Sequence, residues 1–202
     1  MKASRFFTIA FAAATLFTAN QSFAQVKLPA ASSSQTVTQG LGIEKVTLNY
    51  SRPSMNGRKI FGELVPYNEV WRTGANTNTT LTFEGDVSLN GHKLTAGTYA
   101  LFTIPNKSEW TIIISKNTKQ WGAYAYNQSE DALRFNVKAQ TSASPVETFT
   151  ISFDNVTPTD AVLSLAWEKT LVKVDLKVDQ KAKILASIDE AMQGEKKPYF
   201  AA

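Results

Sequence analysis

Val87-Ser88-Leu89-Asn90-Gly91-His92-Lys93-Leu94 is the stretch on which the fold class turns. Asn and Gly both accept the positive φ of a two-residue type I′ turn, so Asn90-Gly91 between two short alternating triplets predicts a tight β-hairpin. The same period of two recurs on either side of it. Val46, Leu48 and Tyr50 alternate with Lys45, Thr47 and Asn49; Leu133, Phe135 and Val137 with Arg134, Asn136 and Lys138; Phe149, Ile151 and Phe153 with Thr148, Thr150 and Ser152. Val172, Val174, Leu176 and Val178 repeat the pattern against Lys173, Asp175 and Lys177. Each run reads as a strand with one face in a core and one in water. Tyr99 to Ile104 and Trp110 to Ile114 are apolar on both parities, which predicts central strands. Ala96-Gly97, Pro105-Asn106 and Thr157-Pro158 supply further breaks. Eight or more short strands joined by tight turns, with no helices between them, predict an all-β fold: an antiparallel β-sandwich, jelly-roll-like.

The N-terminus follows other rules. Lys2 and Arg5 precede an uncharged apolar run from Phe6 to Ala19, and Ser22-Phe23-Ala24 places small residues where a signal peptidase reads. Residues 1–24 are therefore expected to be a signal peptide cleaved before Gln25, with the mature chain periplasmic or secreted. The run is short for a membrane span, which needs about 20 apolar residues, so no stable membrane insertion is expected after cleavage. With no Cys the chain offers neither a lipidation site nor disulfides, and an exported domain must then be held by its core. Taking 24 residues from the 202 leaves 178, enough to bury roughly 70% of the unfolded surface.

Composition narrows the partners. Hydrophobic residues make up 43% and charged residues 19%, an ordinary globular balance. Removing Lys2 and Arg5 lowers the formal charge from +4 to +2, and no Lys/Arg block exceeds two residues, so no nucleic-acid partner is expected. Residues 25–34 (QVKLPAASSS) read as a flexible lead-in to a domain over 35–178. From Asp179 to Gln193, Ile184, Leu185, Ile188 and Met192 share one helical face, Asp179 can cap the start and Gly194 follows the end. This predicts an amphipathic helix packing its stripe on the sandwich, followed by a frayed tail to residue 202. Arg58 to Tyr67 has neither period and has room for one short helical turn before Pro66.

Counting sets several chemistries aside. The single histidine makes a His-rich zinc site impossible and forces any Ser-His-Asp triad to use His92, which the hairpin turn places on an exposed tip. No phosphate-binding loop, dinucleotide fingerprint or EF-hand loop is present, and no cofactor or metal is expected. Glu63, Glu69, Glu84, Glu147 and Glu168 have no spacing that singles out a catalytic pair.

Tyr50 to Asn78 stands apart, because a long irregular connection in a compact domain is usually functional. It brings Arg52, Arg58, Lys59 and Arg72 together with Tyr50, Tyr67 and Trp71, among Pro53, Gly57, Gly62, Pro66 and Gly74. Guanidinium forks suit carboxylate, phosphate or sugar oxygens, and Trp or Tyr faces stack on rings. Tyr50, Arg52, Arg58, Trp71, Arg72 and Asn76 are the candidate ligand-binding residues. The competing expectation is that Arg52, Arg58 and Arg72 pair with Glu63, Glu69 or Glu168 and merely fix the loop. A second aromatic stretch, Trp121-Gly122-Ala123-Tyr124-Ala125-Tyr126, reads as a Gly-containing turn that buries its rings.

Tyr50-Ser51-Arg52-Pro53-Ser54, Gly57-Arg58-Lys59-Ile60-Phe61-Gly62, Leu64-Val65-Pro66-Tyr67, Val70-Trp71-Arg72-Thr73-Gly74-Ala75-Asn76, Ala96-Gly97-Thr98-Tyr99-Ala100-Leu101-Phe102, Glu109-Trp110-Thr111 and Trp121-Gly122-Ala123-Tyr124 occur in this order. Over about residues 35 to 178 the chain thereby resembles an exported family of Gram-negative bacteria, the domain of unknown function 2911. The resemblance implies export and one continuous domain, and it brings no reaction, cofactor or catalytic residue. The reading that follows is an exported binding module for a small polar or anionic ligand or a glycan. One alternative is a hydrolase using Glu63, Glu69 or Glu168 beside the arginines; another is a structural or assembly protein adding partners at a sheet edge.

Overall fold

The structure, a computed structural model, describes residues 28–193. The expected signal peptide, its cleavage site and the tail beyond Gln193 lie outside the described residues. The chain divides into two units, Met1–Ala30 and Ala31–Ala202, and the account below is of the second.

Nine strands lie among the described residues: β1 (Ser33–Leu41), β2 (Glu44–Arg52), β3 (Thr80–Phe83), β4 (Val87–Leu89), β5 (His92–Leu94), β6 (Gly97–Ile104), β7 (Glu109–Ser115), β8 (Asp131–Asp154) and β9 (Asp160–Lys177). They pair in the order β1-β2-β3-β6-β7-β8-β9-β4-β5, each with an antiparallel neighbour. Asn90 (φ 46°) and Gly91 (φ 84°) form the β4–β5 hairpin turn, with the two positive φ values that the type I′ turn requires. His92 is exposed there, stacked on Phe135 at 5.1 Å.

Two strands are far longer than the short runs expected. β8 has 24 residues and β9 has 18. β8 pairs with β7 up to Lys138 and with β9 from Ala139 onward, with register shifts between Thr141 and Val146 and between Val146 and Thr150. The change of partner between Lys138 and Ala139 carries this one strand from the first layer into the second, and the bulges beyond it bend the strand further. The result is an all-β, sandwich-like fold whose sheet stays open, with β1 and β5 as its edges. Val46, Leu48, Leu81, Leu101, Trp110 and Ile112 from the first layer meet Phe149, Ile151, Leu163, Leu165, Trp167 and Val174 from the second in one core.

The centrality of β6 and β7 follows from their two apolar faces. Leu101, Trp110, Ile112 and Ile114 face the main core, while Ala100, Phe102 and Ile113 form a second cluster on the other side. Val70, Ile104, Ala123 and Tyr126 cover that cluster. The loop segments around 70 and 121–126 thus act as a partial third layer over the middle of the first sheet.

Three expectations are corrected here. Arg58 to Tyr67 holds no helical turn: Gly62 N donates to Val65 O and Val65 N to Ile60 O, a bulged turn stabilised by burying Ile60, Phe61 and Val65. β1 starts at Ser33, inside the expected lead-in, because Ser33 and Ser34 pair with Arg52 and Ser51. The C-terminal helix α1 (Lys181–Gln193) exists, yet none of its residues is buried, and Ile184 and Leu185 are exposed. It is tied down by polar groups at its start instead. Gln180 O accepts from Ile184 N, and the Gln180 side chain accepts from Ile43 N and donates to Glu44, which also pairs with Lys183. Gly42 (φ 66°) leaves room for that amide, since a Cβ there would strike Gln180 Oε1.

Candidate functional site

The segment from Trp71 to Thr79 is built around a strained turn. Trp71 and Thr103 exchange two backbone hydrogen bonds, which pins the start of the turn to β6. Thr73 then adopts φ 55°, Gly74 φ 148° and Asn76 φ 59°. A β-branched residue in the left-handed region is a true outlier and persists only when its surroundings hold it. Thr73 is fully buried; its hydroxyl contacts Trp71 O at 3.2 Å and Thr103 Oγ1 at 3.1 Å, and Thr79 Oγ1 donates to Thr73 O at 2.6 Å. Gly74 is required, because a Cβ would stand 3.0 Å from Ser51 O. The strained turn therefore fixes the direction in which Arg72 leaves the backbone.

Trp71 itself belongs to an aromatic cluster. It stacks on Trp167 with centroids 5.8 Å apart and meets Phe149 edge-on at 5.0 Å, and its Nε1 donates to Gly74 O. Phe61 N donates to Glu168 Oε2, which ties the 58–65 turn to β9 beside the cluster. Beyond these rings opens a cavity of about 490 Å³, lined among others by Arg58, Glu69, Trp71, Arg72, Tyr124 and Trp167.

The six sequence candidates separate into two groups. Arg58, Trp71 and Arg72 line the cavity. Tyr50, Arg52 and Asn76 do not. Tyr50 is buried, its hydroxyl donating to Gln35 Oε1 and accepting from Ile151 N. Arg52 donates from Nε to Phe149 O at 3.1 Å and from Nη2 to Thr150 Oγ1 at 2.8 Å, so it latches the first layer to the second. Asn76 holds Ser32 O at 3.1 Å. These three are part of the frame.

The expected pairing of the arginines with carboxylates is also corrected. Arg58 donates to Met55 O and Ser54 O, Glu63 pairs with Lys59, and Glu168 accepts from Phe61 N. Arg58 thus takes the carbonyls that its own turn presents, and Arg52 takes Phe149 O of β8. Arg72 makes no ion pair among the described residues, and its buried Nε has no partner. Its guanidinium carbon sits 5.4 Å from the centre of the Trp121 ring, a cation–π distance. Only Glu69 of the three carboxylates considered for hydrolysis lines the cavity.

The second aromatic stretch does not bury its rings. Trp121 is 66% exposed and Tyr124 89%, stacked on each other at 6.5 Å, and only Tyr126 is tucked in, against Phe102. Gly122, buried at φ 78°, turns the chain so that these two rings face outward beside Arg72. Tyr126 bonds Asp131 at 2.8 Å and accepts from Arg134 at 2.5 Å. Burial, then the hydrogen bond to Asp131, pushes its hydroxyl pKa above the ordinary tyrosine value. Tyr124 and Trp167 are the aromatic cavity residues that sequence reasoning passed over; the signal for Tyr124 was the Trp121–Tyr126 run, and an aromatic run looks the same whether its rings turn in or out.

A family described as protein of unknown function, DUF2911, matches residues 32–176. The chain belongs to this family. The match covers β1 to nearly the end of β9 and so includes the strained turn, the cavity and the Trp121–Tyr126 loop of this DUF2911 member. No curated protein and no solved structure matches the chain. Among the described residues no three His, Cys, Asp or Glu side chains come together as a metal site would need, and no helix is long and apolar enough to cross a membrane.

Proposed function

We propose that this DUF2911 protein is a binding module for a small polar ligand bearing an anionic group, taken up in the cavity beside Arg58, Trp71, Arg72 and Tyr124. Arg72 carries the reading: a guanidinium without an ion pair, aimed by a strained turn and laid on an exposed indole at the edge of a cavity of about 490 Å³. A guanidinium so placed offers a planar donor fork to a carboxylate, phosphate or sulfate. Trp71 and Tyr124 supply faces against which the rest of the ligand lies. The signal at residues 1–24 puts the module in the periplasm or outside the cell. Intact mass of the purified protein should start at Gln25, and a chain still carrying Met1 would refute that placement.

Calorimetric titration with inorganic phosphate, sulfate and glucuronate tests the binding. At least one should bind, more weakly as salt rises, with affinity falling about tenfold or more in the Arg58→Ala/Arg72→Ala double variant and only a modest drop in melting temperature. A double variant that binds as the wild type does would overturn the reading. So would a steep fall in melting temperature with no binding by the wild type, which marks the arginines as structural.

A further inference from the structure

Five buried side-chain nitrogen or oxygen atoms among the described residues lack a hydrogen-bond partner, and four of them surround Trp121: Arg72 Nε, Asn78 Nδ2, Asn78 Oδ1 and Gln120 Oε1. Native proteins leave few such atoms, because each gives up its hydration with no bond in return, and a cluster of them calls for a cause. Asn78 is the clearest case. It is 6% exposed, and both ends of its amide are unpaired.

Asn78 lines a second cavity, of about 430 Å³, which shares no residue with the first. Asn49 and Thr80 of the sheet contribute to it from one side, and Lys119, Gln120 and Trp121 from the loop after β7. An antiparallel bridge between Thr77 and Trp121 holds the loop to the connection that leads into β3. Three chemical features narrow the occupant. No carboxylate lines the cavity and Lys119 does, which disfavours a cation. A simple anion has no proton to donate and would leave Asn78 Oδ1 and Gln120 Oε1 unpaired; an apolar group would leave all of them unpaired. Hydroxyl groups both donate and accept, which is what an amide with two free ends requires. Trp121, exposed at the rim, offers an apolar face to the C–H side of a ring.

We propose that this cavity binds a neutral sugar, its ring lying on Trp121 and its hydroxyls hydrogen-bonded to Asn78, Asn49 and Gln120. The Asn78 amide is closed to solvent in the free protein, so binding is coupled to an outward shift of the Gln120–Trp121 rim next to the turn at Gly122 (φ 78°).

Calorimetric titration of the whole chain with cellobiose, maltose and chitobiose tests this. At least one should bind saturably and independently of salt. Trp121→Ala, at an exposed position, and Gln120→Ala should each weaken it by about tenfold or more. Asn78→Leu, which replaces an unpaired amide by an apolar group of the same branching, should abolish binding and raise the melting temperature by a few degrees, about what relief of one buried polar group is worth. Lost binding together with a more stable fold separates a ligand-directed amide from a structural one. The inference is overturned if none of the three sugars binds, if binding survives Trp121→Ala and Asn78→Leu, or if both Asn78→Leu and the smaller Asn78→Val melt lower than wild type. The probes are uncharged, and Asn78 and Gln120 line only the second cavity, so their variants separate failure here from failure at Arg72; Trp121→Ala, which also removes the indole beside Arg72, is read on sugar binding alone.

Discussion

Single residues show how differently one side-chain type is used in this chain. Arg52, Arg58 and Arg72 look alike in sequence, within a single irregular connection. In the structure Arg52 spans two layers, Arg58 closes its own turn on Met55 O and Ser54 O, and of the three only Arg72 makes no hydrogen bond or ion pair among the described residues. Arg58 meets carbonyls of its own turn and Arg52 a carbonyl of β8, whereas Arg72, next to the strained turn at Thr73, lies on the Trp121 ring. Tyr126 invites a residue-level prediction. Its pKa is raised by burial and by the hydrogen bond to Asp131, so the folded protein holds this proton more tightly than the unfolded chain does. Its contribution is complete below the unfolded value of about 10 and is lost as pH climbs through the higher folded value. Wild type should therefore exceed Tyr126→Phe in stability at neutral pH, and the gap should narrow above about pH 10 in denaturant melts. A gap that stays constant across that range would show that the proton is not held differently in the two states.

At the level of elements, β7 and α1 make a contrast. Both carry apolar residues at the spacing proper to their structure, yet β7 buries Trp110, Ile112, Ile113 and Ile114, whereas α1 buries nothing. Ile112→Ala should cost about 2–5 kcal/mol, since the close-packed second layer opposite cannot collapse into the gap. Ile184→Ala on α1 should cost less than about 0.5 kcal/mol, as at an ordinary surface position. Urea melts of the two variants compare them directly, and equal losses would mean that the helix does pack on the sheets. The stripe of α1 was legible and its partner was not: periodicity reports which residues share a face, and says nothing of whether another surface arrives to cover it. The polar ties through Gln180 and Lys183 to Glu44 join residues more than 130 positions apart, beyond any local pattern.

For the whole molecule, the decisive feature is the passage of β8 from one layer to the other and the latch that holds the layers where β2 ends. Arg52 is that latch, with two hydrogen bonds to β8, and Pro53 O accepts from Phe149 N beside it. Arg52→Ala should cost about 1.5–3 kcal/mol in denaturant melts, as expected for charge-assisted bonds. Arg52→Lys should recover little of it, because an ammonium cannot reproduce the fork. Full recovery by lysine would reduce the latch to a point charge. What the sequence by itself determined is the strand character of β2, β4 to β7 and parts of β8 and β9, with their buried faces and the β4–β5 turn, because alternation and the φ preferences of Asn and Gly act over two to eight residues and need no partner to be read. Three of the four residues of the proposed anion site, Arg58, Trp71 and Arg72, were legible through the clustering of arginine and tryptophan in one long connection. Only the tertiary structure decided which arginine stays free, that Trp121 and Tyr124 face outward, and that Asn78, an unremarkable residue at the end of that connection, lies unpaired in a cavity wall. Those outcomes depend on distances between segments far apart in the chain, and they are set by which neighbour arrives first to take a hydrogen bond or cover a ring.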